Sequence, residues 1–263
     1  MRRTLKYSEK EAVGRIEFIR PEKLNPLDLE AGEELNGLLD ELKDNDTIRC
    51  LVITGSGRAF SAGGDVKGMK QSVEEGNPGD FMDRLTRSLY DICIKLRNFH
   101  VPVVGAVNGH AVGAGMNLAL ACDFIIASEE ASFSQGFARL GLIPGFGGTH
   151  LLISQLTWQK ACEVAMLAEP VAPKEMARLG LVNRVVSADT FEDETEKLAR
   201  RLASGPTLSF RRTKELFMKA GGRSLDEHLE EERSFQIRSA ESEDYAEGVR
   251  ALLAKEKADF KGS

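Results

Sequence analysis

The sequence lacks the marks of several protein classes. Its 263 residues include four cysteines, Cys50, Cys93, Cys122 and Cys162, which form no CxxC pair and no Cys/His cluster. This pattern argues against a zinc or dithiol site and favours buried, reduced thiols, as in a cytosolic compartment. No segment approaches the roughly 18 apolar residues of a membrane span. The N-terminal stretch MRRTLKYSEKEAVG has no apolar segment, so we expect no secretory signal and a cytoplasmic location.

Excess positive charge and nucleotide-binding loops are also missing. The formal net charge is -6, which argues against a nucleic-acid partner because phosphate binding needs a basic surface. The glycine loops match neither the GxGxxG fingerprint nor a phosphate-binding loop, and the chain has no GxSxG elbow of serine hydrolases. The four histidines, His100, His110, His150 and His228, are scattered, which favours structural or surface roles for them.

An alternation of apolar runs and amphipathic segments is present instead. Residues 4–19 predict a β-hairpin, and the runs at 50–54, 101–107 and 123–128 predict buried strands. From Phe191 onward the chain is predicted to be almost entirely helical. This order indicates an α/β core followed by a helical tail. A doubly wound nucleotide-binding sheet is the alternative fold at this level.

Local composition assigns several further segments. Asp28 is predicted to cap a helix, and residues 70–80 to form a mobile surface loop because they are polar and contain glycine and proline. The apolar spacing in residues 81–96 predicts an amphipathic helix. Residues 149–168 and 173–180 are each predicted to form a helix.

Two glycine-containing loops follow two of the predicted strands. The strand at 50–54 leads into residues 59–65, and the strand at 101–107 leads into residues 113–115, each just before a helix. If the two strands are neighbours, backbone N–H groups from both loops can converge on one point. Two such donors form an oxyanion hole, in which one donor is worth a factor of about 10²–10³ in rate. The alternative is that the small residues only allow tight helix–strand packing.

Four ordered segments resemble the crotonase (enoyl-CoA hydratase/isomerase) superfamily. They are RPEKLNPLD, GSGRAFSAGGDV, VNGHAVGAGMNLALACD and RLGLIPGFGGTHLL. The resemblance runs over essentially the whole chain. It implies a spiral of ββα units in residues 1–200 and a helical region at 201–263 that assembles a homotrimer or a dimer of trimers. It also implies an acyl-CoA thioester as ligand, with coenzyme A as part of the substrate and no metal or redox cofactor.

Position within these segments gives candidate site residues. The resemblance implies that the oxyanion donors are the N–H groups of Ala62 and Ala114. Contacts to the acyl-CoA ligand are implied for Lys23, Leu24, Ala59, Ala62, Gly63, Gly64, Asp65, Ala114 and Phe137. Helix capping is the alternative role for Asp65. Asp123 resembles a structural carboxylate, and Lys257 and Phe260 are candidates for adenine contacts from a neighbouring tail.

The acid and base positions depart from the family pattern. Hydratases of this family have glutamates where this chain has Asn117 and Phe137, and the isomerase branches have a carboxylate at the position of Gly145. Because none of these residues can transfer a proton, hydration is predicted to be weak. The nearest resemblance is to the isomerase branch of phenylacetyl-CoA catabolism. Candidates for a base from elsewhere are Asp80, Asp83 and Tyr90.

Two other functions stay open at this level. Decarboxylation or thioester hydrolysis would need only the oxyanion hole. A non-catalytic acyl-CoA-binding protein would need none of the missing carboxylates.

Overall fold

Two β-sheets form the centre of the computed structural model, which describes residues 2–263. The strands are β1 (Leu5–Lys10), β2 (Val13–Phe18), β3 (Cys50–Gly55), β4 (Ala59–Ser61), β5 (Val103–Val107), β6 (His110–Val112), β7 (Phe124–Ser128), β8 (Ser132–Ser134) and β9 (Arg184–Val186). The larger sheet has the order β1-β2-β3-β5-β7-β9, and the smaller has the order β4-β6-β8. Strands β1 and β2 pair antiparallel, and the other pairs in both sheets are parallel.

Helices cover the sheets and form the C-terminal region. They are α1 (Leu29–Leu42), α2 (Val66–Glu74), α3 (Pro78–Arg97), α4 (Ala114–Leu120), α5 (Gly148–Gln155), α6 (Trp158–Cys162), α7 (Pro173–Arg178), α8 (Phe191–Ala203), α9 (Thr207–Lys219), α10 (Leu225–Ala240) and α11 (Glu243–Ala254). Short 3-10 helices lie at Pro21–Lys23, Phe137–Leu140 and Ala188–Thr190, and α6 continues as a π-helix at Glu163–Leu167. None of the helices within residues 2–263 has the length and apolar character that a bilayer crossing requires.

The chain repeats one local pattern. A strand of the large sheet leads into a short strand of the small sheet and then into a helix, as in β3-β4-α2, β5-β6-α4 and β7-β8-α5. Strands β3 and β5 are buried along their whole length, because helices or the second sheet cover both faces. This arrangement confirms the α/β fold with ββα units and replaces the alternative of one doubly wound sheet.

Three details of the predicted elements are wrong. Residues 70–80 are not a loop, because Asp65 caps α2, α2 continues to Glu74, and α3 starts at Pro78, where a helix tolerates a residue without an N–H. Residues 149–168 are not one helix, because the backbone is extended at Leu156. The three-residue strands β4 and β6 were not predicted, since such short segments carry too little pattern.

The helical tail is tied to the sheet by a buried ion pair. Lys214 Nζ on α9 lies 2.6 Å from Asp123 Oδ2, and Asp123 also accepts a hydrogen bond from the N–H of Val103. Burial raises the pKa of Asp123 and lowers the pKa of Lys214, although each opposes the shift of the other. Desolvation therefore offsets much of the attraction, and the pair fixes the position of α9 more than it adds stability. The structural role expected for Asp123 is confirmed.

Helix α8 crosses the boundary predicted between residues 200 and 201. Its buried side chains, including Phe191, Leu198 and Leu202, pack against Val52 of β3 and Val104 of β5. The packed core of the sheet therefore extends through the end of α8, and the chain after it forms α9, α10 and α11.

Candidate active site

Two short parallel strands bring the two glycine-containing loops together. Strands β3 and β5 are neighbours in the large sheet, and β4 pairs with β6 in the small one. The expected proximity of the loops is thus confirmed. A β-carbon added at Gly63, where φ is +83°, would lie 2.5 Å from the carbonyl oxygen of Val112 and 3.3 Å from the nitrogen of Ala114. Only glycine allows this close approach of the two backbones.

The hydrogen bonds of the first loop decide which N–H groups are free. The N–H of Ala62 donates to the carbonyl oxygen of Leu24 at 2.8 Å, and that of Gly63 donates to Ser61 Oγ at 3.1 Å. Within residues 2–263, the N–H of Gly64 has no hydrogen-bond acceptor. The structure therefore does not leave Ala62 free for the donor role assigned from sequence, and the free N–H of this loop belongs to Gly64.

The second loop leaves a free N–H at the start of α4. Ala114 is the first residue of this helix, and its N–H has no acceptor within the described chain. The first N–H groups of a helix lack intrahelical partners, so this donor is available because of its position. Gly113 precedes it with φ +54°, a value that directs the chain from β6 into the helix.

Side chains of the RPEKLNPLD segment hold the first loop in place. Asn25 is buried, and its Nδ2 donates to the carbonyl oxygens of Ser56 and Ala59. The Arg20 guanidinium forms a two-pronged ion pair with Asp28, with N–O distances of 2.6 and 2.9 Å. Burial acts to raise the pKa of Asp28, but hydrogen bonds from Arg20 and from the helix N-terminus outweigh it and leave this pKa below its ordinary value. The segment therefore fixes the position of the loop beside it.

A cavity of about 450 Å³ opens beside the two loops. Its lining residues are Ala62, Gly64, Val66, Met69, Met82, Leu85, Thr86, Leu89, Tyr90, Val112, Gly113, Ala114, Gly136, Phe137, Arg139, Leu140, Leu142, Ile143, Gly145 and Phe146. They include no Asp or Glu. The walls are mostly apolar, and an open groove of about 570 Å³ continues from them. A ligand that fits this site has a hydrocarbon group for the cavity and a polar atom for the two loops.

Only some of the residues implied by the resemblance line the cavity. Ala62, Gly64, Ala114 and Phe137 line it, whereas Lys23, Leu24, Ala59, Gly63 and Asp65 do not. The Asp65 carboxylate accepts from the N–H of Lys67 at 3.0 Å and so has the capping role. In the described part of the chain, no group of three or more His, Cys, Asp or Glu is suited to a metal ion.

Asn117 is a structural residue and does not line the cavity. It is completely buried. Its Nδ2 donates to the carbonyl oxygen of Gly145 at 2.8 Å, and its Oδ1 accepts from Gln135 Nε2 at 2.8 Å. The side chain therefore ties α4 to the loop that carries Gly145.

A glutamate at this position is expected to destabilise the protein without creating a hydratase. In Asn117→Glu, a buried carboxylate would face the Gly145 carbonyl, and we expect the loss of about 1–3 kcal/mol or more of unfolding free energy. Chemical denaturation and a crotonyl-CoA hydration assay measure the two effects. Asn117→Gln is the size-matched control. Unchanged stability together with new hydratase activity would contradict this role.

Phe137 forms a wall between the second loop and the Gly145 loop. A β-carbon at Gly113 would lie 3.6 Å from Phe137 Cε2, and one at Gly145 would lie 3.4 Å from Phe137 Cε1. The aromatic ring thus takes the place where hydratases are expected to have an acid.

The three candidate bases differ in their positions. Tyr90 lines the cavity, whereas Asp80 and Asp83 do not. Asp83 instead pairs with Arg87 at 2.9 Å on the exposed side of α3. Among these candidates, the structure leaves Tyr90 at the site.

Comparison with known proteins decides the family. The sequence profile described as Enoyl-CoA hydratase/isomerase matches residues 8–263. The chain belongs to the enoyl-CoA hydratase/isomerase family. It is 37% identical over 244 residues to 1,2-epoxyphenylacetyl-CoA isomerase of Escherichia coli (strain K12), with 92% of each chain covered. It is 35% identical over 260 residues to a "Probable enoyl-CoA hydratase" of Rhodobacter capsulatus, with 98% of each chain covered.

Solved structures of family members have the same fold. A crystal structure of an enoyl-CoA hydratase from Polaromonas sp. JS666 superposes with a TM-score of 0.92 at 30% identity, covering 97% of this chain and 99% of that one. The crotonase-type fold expected from the resemblance is therefore confirmed.

Proposed function

We propose that this family member processes acyl-CoA thioesters, with the thioester oxygen held between the N–H groups of Gly64 and Ala114. The observation that carries the proposal is that these two donors lack acceptors within residues 2–263 and border one apolar cavity. The relatives support it, because the names of those compared above refer to CoA thioesters.

The proposed chemistry is stabilisation of a thioester enolate. Removing a proton or a carboxyl group beside the thioester carbonyl places negative charge on its oxygen. Donors already fixed by the backbone stabilise that charge without reorganising, and more strongly in an apolar site than in water. The reaction then needs no metal or redox cofactor, and coenzyme A serves as part of the substrate.

Isomerase-type chemistry is favoured over hydration. Hydration needs one group to activate water and another to protonate carbon, whereas a double-bond shift needs a single proton-transfer group, and no Asp or Glu lines the cavity. The same observation favours a second candidate, decarboxylation or thioester hydrolysis, in which the oxyanion hole acts without a protein carboxylate.

A screen of CoA esters tests the proposal. Enoyl-, dienoyl- and malonyl-type CoA esters are incubated with the protein, and products are followed by mass spectrometry. A parallel assay compares crotonyl-CoA hydration with that of a relative that has both glutamates. We expect turnover of at least one ester and slow hydration. Tight binding without turnover of any ester would instead support a non-catalytic binding protein, and hydration as fast as the relative's would contradict the assignment of Asn117 and Phe137.

We also propose that α9, α10 and α11 assemble a homotrimer or a dimer of trimers. Large apolar side chains are exposed in this region, with Phe217 at 72%, Leu225 at 71%, Leu252 at 78% and Leu253 at 80%. Such a concentration is more typical of an interface than of a free surface.

Light scattering of the purified protein is expected to give three or six times the chain mass. Leu252→Glu with Leu253→Glu is expected to lower this mass, because charges would be buried at the interface. Ile94→Glu, an exposed position on α3, is the control. A wild-type monomer would contradict the proposal.

A further inference from the structure

One hydroxyl group in the cavity has no partner in the protein. Tyr90 lines the cavity from α3, and its Oη has no hydrogen bond within residues 2–263. The other lining hydroxyl, on Thr86, donates to the carbonyl oxygen of Met82 at 2.8 Å. The Arg139 guanidinium donates to the carbonyl oxygen of Ala168 at 2.7 Å. Of the two lining hydroxyl groups, that of Tyr90, a residue that is 42% exposed, is thus the one without a protein partner.

The Tyr90 phenol lies close to Gly145, the position at which the isomerase branches of the family have a carboxylate. A β-carbon at Gly145 would be 3.5 Å from Tyr90 Oη, and β-carbons at Gly145 and at Gly113 would each be 3.7 Å from Phe137 Cζ. Tyr90 Oη and the Gly113–Ala114 turn therefore lie beside the same end of one aromatic ring. An acyl group whose thioester oxygen binds at the turn would have its first carbons in the cavity that Tyr90 also lines.

We propose that Tyr90 is the catalytic proton-transfer residue of this enzyme, in place of the absent carboxylates. The inference rests on the proposed function, because it requires an enolate at the two backbone donors. Tyrosine is one of the side chains that act as general acids and bases, and a phenol oxygen can both donate and accept a hydrogen bond.

The step balances without any further reagent. The Tyr90 O–H bond breaks, and its hydrogen forms a C–H bond at the α-carbon of the enolate. The C=C electron pair of the enolate forms this C–H bond, and an electron pair on the enolate oxygen restores the C=O bond of the thioester. The phenolate left behind takes a proton from water. In the reverse direction, the phenolate removes the α-proton and the enolate returns to the two N–H donors.

Exchange of α-protons with deuterium tests this step without knowledge of the natural substrate. Phenylacetyl-CoA and octanoyl-CoA are incubated with the enzyme in D2O, and deuterium at the α-carbon is measured by mass spectrometry. We expect exchange by the wild type and a loss of roughly 10²-fold or more in Tyr90→Phe, the size of a general acid–base contribution. Binding of the same esters, measured by calorimetry, is expected to stay within a few-fold.

Two further variants make the result specific. Tyr245→Phe makes the same chemical change at an exposed tyrosine on α11 and is expected to leave exchange unchanged. Adding Gly145→Asp to Tyr90→Phe is expected to restore exchange, since the aspartate places a proton-transfer group close to the position of the lost phenol. Exchange retained in Tyr90→Phe would overturn the role of Tyr90 while keeping the enolate chemistry. Absence of exchange by the wild type with both esters would overturn both.

Discussion

Replacing Ala114 by proline is expected to lower enolate formation by roughly 10²–10³-fold, the effect of removing one oxyanion donor. Proline has no N–H, so the change deletes the donor itself. The first position of a helix tolerates proline, because its N–H has no intrahelical partner and its φ is already suitable. Ala114 occupies that position in α4. The rate is measured as α-deuterium incorporation into a saturated acyl-CoA.

The control for this variant is Ala114→Gly, which keeps the N–H. We expect it to retain most of the exchange rate, while Ala114→Pro retains the fold by circular dichroism and thermal melting. If the folded proline variant exchanged α-protons as fast as the wild type, the N–H of Ala114 would not be an oxyanion donor.

Installing a carboxylate at Gly145 is expected to increase double-bond isomerisation of enoyl-CoA esters by roughly 10²-fold or more, within the usual range for general acid–base catalysis. The site has room for the side chain. A β-carbon there would make ordinary contacts of 3.4 Å with Phe137 and 3.5 Å with Tyr90, and the backbone has no positive φ at this glycine. The carboxylate of Gly145→Asp would thus enter an apolar cavity beside the proposed enolate.

The matched control is Gly145→Asn, which has the same shape and no titratable group. We expect it to show no gain. Interconversion of 2-enoyl- and 3-enoyl-CoA, followed by chromatography, measures both variants. Equal rates for the aspartate and asparagine variants would show that the enolate does not form beside residue 145.

The sequence predicted the architecture well because buried strands and amphipathic helices have strong periodicity. Residues 50–54 are a continuous apolar run, residues 101–107 are an apolar run interrupted by Pro102 and Gly105, and both proved to contain buried parallel strands. Short elements were missed where pattern is weak, as with the three-residue strand β4. Residues 70–80 were misassigned because composition alone does not separate a polar helix end from a loop.

The site was predicted at the level of loops and not of single donors. Consecutive amides in Ala62-Gly63-Gly64 look equivalent in sequence, and only the hydrogen bond from Ala62 to Leu24 shows which is occupied. Tyr90 was one of three candidate bases, because closeness in sequence does not show which side chain of α3 faces the cavity. The buried amide pair of Asn117 and Gln135 gave no sequence signal, since it joins residues from two separate elements.

A crystal structure with a saturated acyl-CoA bound is the most direct measurement of the central claim. We expect the thioester oxygen to lie about 2.7–3.1 Å from the nitrogens of both Gly64 and Ala114, the distance of an oxyanion-hole donor. We also expect the acyl chain to fill the apolar cavity beside Tyr90. A thioester oxygen bound away from these nitrogens, or a Gly64 N–H turned toward a protein acceptor, would contradict it.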